Sequence, residues 1–129
     1  MSGVYARNRK GTPYDPIDIG AQLQDKISKF VGDEKYVPKK WRFLLGVRIL
    51  DKVDEMMDLA IDANSINIKD HPELEYKRKE KWHDARTCLT KLDRQIARLI
   101  NVCPTANAGD MTEIIKLLDS EDVALSKAH

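Results

Sequence analysis

Apolar residues along this chain return at steps of three and four in four separate stretches, the period of amphipathic helices and not the alternation of strands. In the first stretch, Asp15 followed by Pro16 reads as an N-cap with proline in the first turn. Leu23, Ile27, Phe30 and Val31 then recur at helical spacing until Gly32. Pro38 opens a second helix in which Trp41, Leu45, Ile49, Met56 and Ala60 form one stripe, with Phe43, Val47, Leu50 and Met57 beside it. So wide an apolar surface predicts contact on two sides, one with the rest of the fold and one with a neighbouring subunit. The pattern breaks near Asn64, in Asn-Ser-Ile-Asn-Ile.

Asp70-His71-Pro72-Glu73 has the spacing of a capping box with proline near a helix start, and predicts the beginning of a third helix. Trp82, Ala85, Leu89, Leu92, Ile96, Leu99 and Cys103 follow at alternating steps of three and four, the seam of a helix packed at a shallow angle in a bundle. Pro104 ends it. A second box, Asp110-Met111-Thr112-Glu113, starts a fourth helix carrying Met111, Ile114, Ile115, Leu118 and Leu125. Connections of about six residues favour antiparallel neighbours, so the predicted fold is all-α, an antiparallel up-down four-helix bundle over residues 15–129. Residues 1–14 are polar, hold Arg7, Arg9 and Lys10 without an acid, and are predicted to form a flexible basic arm.

Composition agrees with this picture: 129 residues suit one core, and 33% charged with 6% aromatic residues suits long solvated helices. The net charge of +1 excludes a strong overall field, so binding to nucleic acid must come from local segregation of charge. The chain runs from a basic start to an acidic end. No apolar run approaches the ~20 residues that span a bilayer, and no apolar stretch follows the N-terminal basic residues, so a cytoplasmic protein without membrane anchor is expected. Cys88 and Cys103, about four turns apart on one helix, are too distant to be bridged within it.

Catalytic templates find little purchase. His71, His83 and His129 include no pair four residues apart, and the single Glu-x-x-His match, Glu80 to His83, lacks the second copy and bridging glutamates of a di-iron bundle. Phosphate-binding glycine loops, nucleophile elbows and Cys-x-x-Cys pairs are missing from the sequence, so no cofactor, no metal and no enzymatic activity are expected. The remaining signal is cationic. Lys39, Lys40, Arg42 and Arg48 crowd the start of helix two, and Arg78, Lys81, Arg86, Lys91, Arg94 and Arg98 lie along helix three. Such a row either tracks phosphates or is a solvated face laced with pairs such as Glu73 to Lys77.

The segment Tyr36-Val37-Pro38-Lys39-Lys40-Trp41-Arg42-Phe43-Leu44-Leu45-Gly46-Val47-Arg48-Ile49, with Met56-Met57-Asp58-Leu59-Ala60 and the long charged helix after it, resembles the Avd-like family. These are accessory variability determinants of diversity-generating retroelements and their four-helix-bundle relatives, and the likeness spans about residues 20 to 126. The resemblance implies a homopentameric barrel that binds the element's reverse transcriptase and its template RNA, without being a catalyst. It places the basic role on Lys39, Lys40, Arg42 and Arg48, and after them on Arg78, Lys81, Arg86, Lys91, Arg94 and Arg98. Two alternatives stay open from the residues alone: DNA in place of RNA, and a protein-only interaction module, an oligomeric scaffold or phage-type inhibitor, docking through helix two.

Overall fold

A computed structural model describes residues 15–107 and 111–128, and its regular structure is helical throughout, with no strand among the described residues. The predicted arm at 1–14, the Asp110 capping position and His129 lie outside the described residues.

Helix α1 is Pro16–Gly32. The Asp15 carboxylate accepts from the backbone N–H groups of Ile17 and Asp18, so two of the four amides that a helix start leaves unpaired are satisfied at once. Replacing Asp15 with Ala is expected to cost about 1 kcal/mol, read as a lower urea midpoint with unchanged slope. Helix α2 is one continuous rod in three pieces: a first turn Lys39–Trp41, a wide π turn Arg42–Gly46, and the regular stretch Val47–Ser65. Helix α3 is Glu75–Val102, entered through a 3₁₀ turn at Pro72–Leu74, and a second 3₁₀ turn at Pro104–Asn107 leads towards α4, Met111–Lys127.

The entry to α3 differs from its prediction. Asp70 caps nothing; its carboxylate accepts from the Asn67 side-chain amide at 2.7 Å. Asn67 Oδ1 in turn accepts from the N–H groups of Lys69 and Asp70, both at 3.1 Å. An Asx-type turn has taken the place of the capping box, because Asn67 reaches those amides locally before the helix begins.

Each helix packs mainly on two others: α1 on α2 and α4, and α3 on α2 and α4. All seven residues of the predicted α3 seam are buried. From α1 come Ile17, Leu23, Ile27, Phe30 and Val31; from α2 Leu45, Ile49, Val53, Met56, Met57, Ala60 and Ala63; from α4 Met111, Ile114, Leu118 and Leu125. At one end of the α1–α2 contact Val31 meets Gly46, further along Gln24 donates to Asp54 at 2.6 Å, and at the other end Gly20 faces Met57. Gly46 matters here, since a Cβ on it would lie 2.7 Å from Val31 Cγ1. The α1–α2 loop is held down by Phe30 stacked on Tyr36 at 5.4 Å and by Thr105, which donates to the Tyr36 carbonyl at 2.9 Å.

One buried residue breaks the apolar rule. Glu121 of α4 is 0% exposed, and neither of its carboxyl oxygens has a hydrogen-bond partner. It fits because α1 presents Gly20, where a side chain would come within 2.6 Å of Glu121 Oε2. Burial first, and the nearby Asp15 charge second, push the Glu121 carboxyl up to about 8.

Candidate functional site

The geometry sorts the ten cations singled out by the sequence into two groups. Because the seam of α3 points inward, residues between its positions face outward or flank neighbouring helices, and what they meet depends on which carboxylates those helices carry. Arg86 Nε donates to Asp122 of α4 at 3.0 Å. Lys81 Nζ lies 3.9 Å from Asp62 of α2. Arg78 is half-buried, its guanidinium 6.0 Å above the ring of Trp82. Arg42, expected in an outward cluster, is turned back into the fold. Its Nη2 donates to the Val37 carbonyl at 3.4 Å, and its Nε is buried without a partner. Two residues after Lys40, Arg42 stands about 200° round the helix from it, so it points away from that lysine and towards the Val37 carbonyl.

The second group is open. Lys39, Lys40, Arg48, Lys91, Arg94 and Arg98 are all exposed, and none of them has an ion pair among the described residues. Lys40 sits over the Trp41 ring at 5.0 Å. Lys91 lies close enough to Glu55 to help hold that carboxyl below its usual range, although the Lys52 hydrogen bond to Glu55 is the larger cause. Arg94 and Arg98, one helical turn apart, border a shallow depression lined by Gln95, Ala97 and Asn101.

Beside the lysines of α2 lies a feature the periodicity only half disclosed. Phe43, Leu44 and Val47 are 68%, 52% and 45% exposed. The secondary row read from the sequence therefore splits: Met57 is buried and Leu50 half-buried, while Phe43 and Val47 face out.

Elsewhere the chemistry is quiet. Glu80 and His83, the chance di-iron match, both face solvent. No group of three His, Cys, Asp or Glu among the described residues is arranged to hold a metal ion. Cys88 is buried, and burial first, then Glu55, push its thiol up, which keeps the nucleophilic thiolate scarce. No helix among the described residues is long and apolar enough to cross a membrane.

Glu121 is the residue that sequence reasoning passed over. It sits three residues after Leu118 and four before Leu125, a seam position, so its spacing was a signal that its charge concealed. Comparisons with protein-family models, curated proteins and solved structures find no match to this chain.

Proposed function

We propose that this chain is a non-catalytic accessory protein of a diversity-generating retroelement, an antiparallel up-down four-helix bundle that binds reverse transcriptase and template RNA. The antiparallel reading is supported by contacts that run in opposite order along neighbouring helices: Val31 to Gly46 and Gly20 to Met57 between α1 and α2, Lys26 to Glu113 and Gly20 to Glu121 between α1 and α4. The observation that carries the binding role is the exposed row Lys91, Arg94 and Arg98 on α3, none of which makes an ion pair among the described residues, Lys91 acting on Glu55 only at longer range. Cations along about 10 Å of one helix face, none of them held in an ion pair, give a phosphate chain a line of charge. The paired Lys81 and Arg86 brace α3 against its neighbours.

Binding of structured RNA, measured by fluorescence anisotropy, is the test. With three phosphate contacts, affinity should fall about twenty- to fortyfold between 50 and 200 mM salt. Changing Lys91, Arg94 and Arg98 together to Glu should abolish binding, and Arg86→Gln should leave it nearly unchanged. Affinity indifferent to salt and to the triple change would end this reading.

A protein-only interaction module is the second reading, favoured by the exposed Phe43, Leu44 and Val47 and by the net charge of +1. A protein partner retained after nuclease treatment, together with no RNA binding, would select it.

A further inference from the structure

We propose that Arg48 of α2 and Arg98 of α3 close on one phosphate group, an anion site that spans the α2–α3 groove and that neither helix forms alone. For its ligand the site rests on the proposed RNA reading; for its geometry it rests only on how α2 packs against α3.

The outer edge of that groove is built in layers. Lys81 of α3 stands 3.9 Å from Asp62 of α2. Seven residues back along α2 and seven forward along α3, Glu55 meets Cys88 and has Lys52 and Lys91 as its cations. Seven residues are about 10.5 Å on either helix, so antiparallel neighbours packed at a shallow angle keep step. A further step of seven reaches Arg48 on α2 and Gln95 on α3, still inside the regular stretches Val47–Ser65 and Glu75–Val102. The offset that brings Lys91 to Glu55 then brings Arg98 to Arg48.

The first two layers each oppose a carboxylate to a cation. The third opposes arginine to arginine. Both are exposed, neither makes an ion pair among the described residues, and Asp51, one turn on from Arg48, makes none either. Two like charges side by side repel, and an anion between them relieves the repulsion, the part that Asp62 and Glu55 play in the layers before. A phosphate suits two guanidinium forks, since its several oxygens serve both at once. Gln95 is an independent sign that this layer is incomplete: its Oε1 is buried with no hydrogen-bond donor among the described residues. A guanidinium has five N–H donors and a bidentate phosphate takes two, so Arg48 can hold the anion and still donate to that oxygen. A phosphate chain that runs over Lys91 and Arg94 is therefore tied to α2 at its Arg98 end.

Urea unfolding of Arg48→Glu, Arg98→Glu and the double variant, in chloride buffer at low salt, tests the juxtaposition. Either single change sets a carboxylate opposite an arginine and the double change restores like on like. The double variant should therefore unfold at a lower urea midpoint than the sum of the single changes gives, and additive changes would overturn the site whatever RNA does. Against RNA, followed by anisotropy, Arg48→Gln with Arg98→Gln should lower the slope of log affinity on log salt by about one, the loss of a single phosphate contact. A slope left unchanged, or lowered by about two as separate phosphates require, would overturn the shared phosphate. Millimolar inorganic phosphate, replacing chloride at equal ionic strength, should raise the Tm of the wild type and leave the Arg48→Gln, Arg98→Gln variant unmoved; an equal shift in both would overturn the site. A wild type that ignores RNA but passes the urea and phosphate tests would end the RNA reading and keep the anion site, with free phosphate as its ligand.

Discussion

Raising the pH from 5 to 8 is expected to weaken the fold by several kcal/mol, and Glu121→Gln is expected to remove most of that dependence. In the folded chain Glu121 holds its proton up to about pH 8, whereas in the unfolded chain it releases it near the ordinary value of 4.5. Below 4.5 both states are protonated and the residue's contribution is complete. Between 4.5 and 8 the unfolded chain binds fewer protons, so stability falls by about 1.4 kcal/mol per pH unit, or roughly 3 kcal/mol by pH 7. Among the described residues no cation offsets the burial: Asp15 adds a like charge, and the close α1 residue is Gly20, which carries no side chain. Glu55 and Glu113 act in the other direction, since the Lys52 and Lys26 hydrogen bonds hold them below 4.5, and their contribution is lost only as pH falls through the acid range. Urea melts at half-unit pH steps separate the effects. Glu121→Met should be the more stable protein at pH 8, by about 2–4 kcal/mol, because an apolar side chain there loses no solvation. Parallel pH profiles for the wild type and Glu121→Gln would show that the carboxyl is not buried as described.

Gly46→Val is expected to cost about 3 kcal/mol, and much of that loss should vanish when Val31 is also changed to Ala. The reason is contact. The Cβ of any residue at 46 would stand 2.7 Å from Val31 Cγ1, and Val31 is a stiff, buried, β-branched side chain on the last turn of α1. A valine there must push α1 and α2 apart or unwind the π turn. Val31→Ala alone removes two buried methyl groups and should also destabilise, so the informative quantity is the shortfall of the double variant from the sum. An additive pair would mean that contact with Val31 is not the source of the loss, because the backbone of Gly46, at φ −58° and ψ −43°, is one that any residue adopts.

The helices themselves were legible because their signals are local. The α3 seam from Trp82 to Cys103, the Asp15 cap with Pro16, and the helix start after Pro38 each follow from residues within a few turns of one another. Asp70 to Glu73 matched a capping box just as well, yet Asn67 competed for the same region and formed the turn. The π turn left no trace in the periodicity, because Trp41, Leu45 and Ile49 keep their four-residue spacing straight through it. The row of cations on α3 could be read from helical geometry, but their pairing could not. Asp122 neutralises Arg86, and Asp62 approaches Lys81, from helices whose rotation about their own axes is fixed only when the core closes. Arg42 shows the same limit, since nothing in its sequence neighbourhood announces that it will turn towards Val37.

The two thiols give the protein a built-in record of how it breathes. Cys88 and Cys103 are both free and buried, about 22 Å apart along α3, one beside Glu55 at mid-helix and the other donating to the Tyr36 carbonyl at the helix end. An alkylating reagent reaches either sulfur only when the packing around it opens. The two labelling rates therefore time separate excursions of the molecule, and their ratio distinguishes fraying at the α1–α2 loop from parting of the whole α2–α3 contact.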